Sequence, residues 1–313
     1  MASSNDKINY NLRPSKSIER KMILEVLKEI CSPLKAADYQ YIGMGSAFFV
    51  DFKLFHKSLG INEMFSFEGK KSNVNRCSFN KPFDCIEIIP ERTEKGLTEI
   101  DWETKKSIVW LDYEDELRGW MINDIDTVSQ NAKSGNVLII TLRRTYEKDI
   151  DDLNKEFSDY ILNQLTLNDM HIKNSANSLK TILSSAINNK LIKAFSVYPA
   201  DEKIDFCPLF EFTYEDGAAM FTFGGIFLNE NDKTEFQNYK FHDLEFMQES
   251  NRPYSISCPI ITDKEFHLLN AKLPTADVET FSTIEELEIV PKIHRENYFR
   301  TYKYYPNYFE IWI

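Results

Sequence analysis

From Tyr39 to Leu142 strand-like runs alternate with stretches able to form helices, and this alternation leaves few folds open. The runs Tyr39–Gly43, Met64–Glu68, Cys85–Ile89, Ile108–Asp112 and Val137–Leu142 read as strands, being short and mostly apolar. The four intervals between them carry helical periodicity or are long enough for a crossover, which implies a parallel sheet covered on both faces. Phe48, Phe52, Phe55 and Leu59 form one helical stripe, and Leu117, Met121, Ile125 and Val128 form a second. Both are expected to pack in the core.

The pattern then changes. Two helices are expected around residues 148–165 and 178–193, after which Leu209–Tyr214 and Ala218–Phe223 alternate about Asp216-Gly217. That dipeptide between alternating runs is a strong hairpin signal, so a mostly parallel doubly wound, Rossmann-like α/β sheet should close with an antiparallel hairpin. An amphipathic helix over Lys16–Ile30 precedes the first strand, with Ile18, Met22, Val26 and Ile30 spaced four apart. The polar stretch Asn229–Arg252 has no clear period and is expected to be a loop. Capping-box patterns at Thr262–Glu265 and Thr283–Glu286 announce short helices. An aromatic tail follows, containing Tyr298, Phe299, Tyr302, Tyr304, Tyr305, Tyr308, Phe309 and Trp312; left exposed it would be an aggregation liability, so it should pack inward. The expected organisation is an N-terminal helical segment over residues 1–37, a Rossmann-like domain over 38–230 and a small helical, aromatic-rich region over 231–313.

Between the first strand and its helix lies Tyr41-Ile-Gly-Met-Gly-Ser46. Gly43 and Gly45 are able to adopt positive φ and admit a ligand to the backbone, and the following helix points unpaired N–H groups at the turn. Glu68 closes the second strand about 20 positions further on, where such folds place a carboxylate that binds ribose hydroxyls. The net charge of −12 disfavours nucleic acid and anionic membranes as partners. Cys31, Cys77, Cys85, Cys207 and Cys258 are scattered without metal-like or redox spacing, as are the five histidines. The opening residues lack a signal-peptide pattern and no apolar run approaches membrane-spanning length, so a cytoplasmic location is expected.

A glycine turn after strand one, an acid ending strand two and a closing hairpin resemble the class I S-adenosylmethionine-dependent methyltransferases. Arg13-Pro-Ser-Lys-Ser-Ile-Glu-Arg20, Tyr41–Ser46, Asn80-Lys-Pro-Phe-Asp-Cys-Ile-Glu87 and Trp110-Leu-Asp-Tyr113 are more narrowly similar to an uncharacterised bacterial O-methyltransferase family. The resemblance implies S-adenosyl-L-methionine as cofactor, bound by Tyr41, Gly43, Met44, Gly45, Ser46, Glu68, Ile88 and Asp112, with Ile88 beside the adenine. Two positions depart from the wider family: Tyr41 stands where an acid is usual, and Ala47 where a third glycine is. Asp51 or Asp112 could then meet the methionine ammonium, and Arg13, Lys16, Glu19 and Arg20 are candidates for a lid, set against the plainer reading of a solvated helix face.

The resemblance places Asp112 and Tyr113 next to the transferred methyl. Asp112 is the candidate base or acceptor-orienting group and Tyr113 shapes the pocket, while Glu114, Asp115 and Glu116 read as an acidic helix N-terminus. No Asn-Pro-Pro-Tyr or Asp-Pro-Pro-Tyr follows strand four, which weakens base methylation in DNA. Thr141-Leu-Arg-Arg144 stands where metal-dependent relatives need acidic ligands, so no catalytic metal is expected, and the two arginines suit an anionic acceptor or an ion pair. The reading is O-methyl transfer to an unidentified acceptor. A methyltransferase-fold binding or assembly subunit, docked through the aromatic C-terminal region, and a nucleic-acid-modifying enzyme are the alternatives.

Overall fold

The computed structural model describes residues 12–247 and 252–306. One eight-stranded sheet runs through it in the order β3-β2-β1-β4-β5-β7-β6-β8. The strands are β1 (Tyr39–Gly43), β2 (Met64–Phe67), β3 (Ile86–Ile89), β4 (Lys106–Glu116), β5 (Val137–Arg143), β6 (Asp205–Glu215), β7 (Ala219–Leu228) and β8 (Tyr254–Ser255). The first five are mutually parallel, β7 is antiparallel to both β5 and β6, and β8 adds in parallel to β6. The chain winds outward from β1 to β3 and then returns to β4 beside β1. That reversal opens a crevice beyond the carboxyl ends of the strands.

Alternating strand residues feed two hydrophobic layers. Tyr41, Ile108, Trp110, Val137 and Ile139 face α1 (Pro14–Lys35) and α2 (Val50–Leu59). Ile42, Val109, Leu111, Leu138 and Ile140 face α5 (Gly119–Gln130) and α8 (Ser175–Ala194). The period of two therefore puts Asp112 on the α1 side of β4 and Tyr113 on the other. Between these helices lie α3 (Lys71–Asn80), α4 (Thr93–Gly96), α6 (Ile150–Glu156) and α7 (Leu167–Met170).

The amino end of α1 is capped from about 200 residues away. Ser15 N and Lys16 N donate to the Asp216 carboxylate at 3.1 and 2.8 Å, and Asp216 sits in the β6–β7 turn with Gly217 at φ +89°. The hairpin thereby sets the register of α1 over the sheet, satisfying donors that a helix start leaves open.

Several local expectations need correction. Phe49, not Phe48, heads the α2 stripe: it is fully buried at φ +47°, in the left-handed region rare for a bulky residue, and is held there by packing against Phe52. Helix across 148–165 breaks after Glu156 into a 3₁₀ turn at Ser158–Tyr160. The supposed loop at 229–252 contains α9 (Glu230–Phe236) and two 3₁₀ turns, with Phe236, Tyr239, Phe241 and Phe246 packed on the α1 layer. Glu114–Glu116 belong to β4 rather than to a helix start. Glu116 is fully buried there, bridged to Arg118 at 2.8 Å and hydrogen-bonded by Glu147 N.

The C-terminal helices α10 (Asp263–Asn270), α11 (Val278–Ser282) and α12 (Lys292–Thr301) enclose a small core of Leu269, Phe281, Leu287, Val290 and Tyr298. Lys21 Nζ on α1 donates to the Tyr304 and Tyr305 carbonyls at 3.0 and 3.2 Å. Phe299, Tyr302 and Tyr305 pack on the small core and Tyr304 on the α1 layer, while Tyr308, Phe309 and Trp312 lie outside the described residues.

Candidate active site

A cavity of about 560 Å³ occupies the crevice at the carboxyl ends of β1 to β4. The β1–α2 connection contributes Met44, Gly45 and Ser46, the first turn of α2 Asp51, the end of β2 Phe67 and Glu68, the segment after β3 Glu91 to Glu94, and β4 Asp112 to Asp115. Arg20 from α1, Asn73 from α3, and Trp120 and Met121 from α5 complete much of the wall.

The two glycines serve close approach rather than positive φ. Neither is among the positive-φ residues. A Cβ on Gly45 would stand 2.6 Å from Ser66 Oγ and 2.9 Å from the Phe49 ring, and one on Gly43 would stand 2.7 Å from the Tyr41 hydroxyl. Ser66 Oγ instead accepts a hydrogen bond from Gly45 N at 3.1 Å, which ties the turn down onto β2.

A carboxylate from α2 stands against the Tyr41 hydroxyl of β1. Tyr41 Oη donates to Asp51 Oδ2 at 2.5 Å, and Asp51 lines the cavity whereas Tyr41 lies buried behind it. Burial pushes the Asp51 carboxyl above its usual range, with the Arg20 charge and the Tyr41 hydroxyl pulling it back. Glu68 is oriented by Lys70 N at 2.9 Å and by Cys77 Sγ at 3.7 Å.

Asp112 is not free in the cavity wall. Its Oδ1 accepts from Lys16 Nζ at 2.9 Å, and Lys16 is fully buried, paired also with Glu19 Oε2 at 2.8 Å and lying 4.6 Å from the Trp110 ring centre. Glu19 in turn accepts from Thr222 Oγ1, which contacts Thr141 Oγ1 at 2.8 Å, itself the acceptor of Trp110 Nε1–H at 3.0 Å. A closed polar circuit thus links α1, β7, β5 and β4 behind the site. The N-terminal charges are therefore no solvated face: Lys16 and Glu19 are interior, and Arg20 is only 5% exposed. Arg13, Lys16 and Glu19 do not reach the cavity wall.

Tyr113 lines the cavity with its ring, but its hydroxyl donates to Asp124 Oδ2 at 2.7 Å. Thr93 Oγ1 donates to the same oxygen at 2.5 Å, while Asp124 Oδ1 is buried without a partner. The Tyr113 hydroxyl is thereby committed, and burial raises its pKa well above the usual value, so it is a wall and not a proton carrier. Ile88 packs on the α1 layer and does not line the cavity; beyond β3 the wall is formed by Glu91, Arg92, Thr93 and Glu94. Sequence reasoning missed Asp124, whose signal was a lone acid within the apolar stripe of α5. Arg143 is paired with Asp115 at 3.1 Å and Glu147 at 2.8 Å, so it serves an ion pair. Among the described residues no group of three His, Cys, Asp or Glu side chains is placed to hold a metal ion, and no helix is long and apolar enough to cross a membrane.

Asp124 makes stability depend on pH. It is fully buried, and burial pushes its carboxyl up to about 6. The folded protein then binds the proton more tightly than the unfolded chain between about pH 4 and 6, so the contribution of Asp124 worsens as pH rises through that window. Asp124→Asn, which stays neutral, should gain on the wild type by about 2–3 kcal/mol between pH 4 and pH 7. Urea unfolding at both pH values measures this, and a pH-independent difference would contradict it.

The strand order, the antiparallel closing hairpin and the crevice behind a glycine turn define a class I S-adenosylmethionine-dependent methyltransferase fold. Residues 8–313 match the family described as "Putative O-methyltransferase", and the chain belongs to that family. Trm1 from Pyrococcus horikoshii, solved with S-adenosyl-L-methionine, is similar at a TM-score of 0.50 and 11% identity, over 75% of this chain and 60% of that one. The present chain thus spans about three fifths of the Trm1 length. N-methyltransferase NodS from Bradyrhizobium japonicum, solved with S-adenosyl-L-homocysteine, has a TM-score of 0.37 at 11% identity, over 68% of this chain and 88% of that one. Comparison with curated proteins finds no match.

Proposed function

We propose that the chain binds S-adenosyl-L-methionine in the 560 Å³ cavity and transfers its methyl group to the oxygen of an acceptor presented near Asp112. The observation that carries this reading is the continuity of one cavity from the Gly45 turn, past Glu68, to Asp112. A carboxylate held at the end of β2 suits the two ribose hydroxyls, and Phe67, Met121 and the Tyr113 ring offer apolar surface for adenine. The wall carries seven carboxylates, Asp51, Glu68, Glu91, Glu94, Asp112, Glu114 and Asp115, against three cations, Arg20, Lys70 and Arg92. That surplus favours a cationic sulfonium donor.

Methyl transfer from a sulfonium is an in-line displacement that needs alignment and, for a hydroxyl acceptor, removal of a proton. With Oδ1 engaged by Lys16, Asp112 is better suited to orienting the acceptor through its other oxygen than to acting as base. Tyr41 in place of an acid would favour a binding subunit without catalysis, but Asp51 offers the cavity the carboxylate that Tyr41 lacks. Docking through the C-terminal aromatics has less support, because Tyr298, Tyr302 and Tyr305 are drawn into their own small core. The scattered free thiols accord with a reducing cytoplasm as the site of the reaction. Calorimetric titration of the wild type with S-adenosylmethionine and S-adenosylhomocysteine should give saturable one-to-one binding. Absence of heat with both ligands would overturn the reading.

A further inference from the structure

Asp124 carries a charge that, among the described residues, no cation meets. It is fully buried on α5, one helical turn beyond Trp120 and on the same face. Tyr113 and Thr93 both donate their hydroxyl protons to its Oδ2, and its Oδ1 has no hydrogen-bond partner. The charge turned toward it is Glu94 of α4, which has the same sign. Thr93, Glu94, Tyr113 and Trp120 all line the cavity. An uncompensated anion thus stands directly behind the cavity wall at neutral pH.

A buried carboxylate without a counter-ion is costly in the folded chain, and an asparagine would keep an acceptor for both hydroxyls without that cost. Groups that lower stability in this way concentrate where function uses them. Between Asp124 and the cavity stands the Tyr113 ring, which Trp120 meets edge-on at 5.3 Å. A charge acts further through such packed side chains than through water.

Building on the proposed donor, we infer that Asp124 is a specificity-determining residue that reads the charge on sulfur, its anion acting through the Tyr113 ring to favour the sulfonium of S-adenosylmethionine over the uncharged thioether of S-adenosylhomocysteine. It touches neither ligand and acts by its field. Methyl transfer removes the positive charge from sulfur, so the anion that favours the donor ceases to favour the product, which aids its release.

The sign of the pH dependence follows from linkage. Burial holds the Asp124 carboxyl at about 6 in the empty protein. A cation beside the wall favours the ionised carboxylate, so S-adenosylmethionine lowers that pKa, and deprotonation of Asp124 in turn tightens S-adenosylmethionine. Affinity for the sulfonium therefore rises with pH up to and through that value and levels off above it. Affinity for the thioether lacks this component.

Calorimetry with both ligands at pH 5 and pH 7.5, on the wild type and on Asp124→Asn, tests this without turnover. With a coupling of about tenfold, the wild-type preference for S-adenosylmethionine over S-adenosylhomocysteine should grow roughly fivefold more between the two pH values than that of the variant. The carboxylates of the cavity wall are common to both proteins and drop out of the comparison. A purely structural Asp124 would instead alter the two ligands alike. Equal growth of the preference in wild type and variant overturns the inference and leaves the cofactor reading in place. So does a wild-type preference that stays constant between the two pH values, a result that needs no variant. Binding of neither ligand by the wild type overturns the cofactor reading and this inference with it.

Discussion

Lys16→Met should destabilise the protein by about 3–5 kcal/mol, because it strands a fully buried carboxylate, Glu19, and leaves Asp112 uncompensated. Lys16 has no exposed surface, and its ammonium meets both carboxylates and the Trp110 ring. Burial already pushes the Glu19 carboxyl up, with Lys16 pulling it down, so removing the cation leaves Glu19 to take up a proton or open the helix. Adding Glu19→Gln should recover more than half of the loss: the amide carbonyl can still accept from Thr222, and Asp112 is 28% exposed to the cavity. Denaturant unfolding of the two variants measures both terms. A single-variant loss below about 1 kcal/mol would show that the circuit behind the site does not support the fold.

Glu68→Ala should weaken S-adenosylhomocysteine binding by roughly 30- to 150-fold, about 2–3 kcal/mol, with little change in stability. The expectation rests on a carboxylate pre-oriented by Lys70 N and Cys77 at the mouth of β2, ready to accept from a pair of vicinal hydroxyls without reorganisation. The effect should fall on every ligand that keeps the ribose hydroxyls. Undiminished binding by a folded Glu68→Ala protein would remove the ribose from this end of the cavity. Comparison with Glu68→Gln then separates charge from shape.

Strands β1 to β5 and the closing hairpin were legible because each is a local pattern. A run of apolar residues, a glycine turn or an Asp-Gly pair carries its structural preference within a few residues. Glu68 was legible for the same reason, since topology places the end of β2 beside the turn after β1. The extension of β4 through Glu116 was not, because an acidic run enters a strand only where Arg118 and the Glu147 backbone are brought to meet it. Nor was helix α9 within the polar stretch after β7, whose aromatics have meaning only against α1.

The site divides in the same way. Gly45, Glu68, Asp51 and Asp112 could be named from position in the chain. Their employment could not: Asp112 is governed by Lys16 at a separation of 96 residues, α1 is capped by Asp216 at 200, and Tyr113 answers to Asp124 through a contact across β4 and α5. Short-range periodicity determined the elements and their order, because backbone preference and amphipathic spacing act within a turn or a strand. Which charges are buried, which are paired and which, like Arg20, are left facing the cavity was decided by tertiary structure alone, because the strength of a charge interaction depends on distance and desolvation in the folded state.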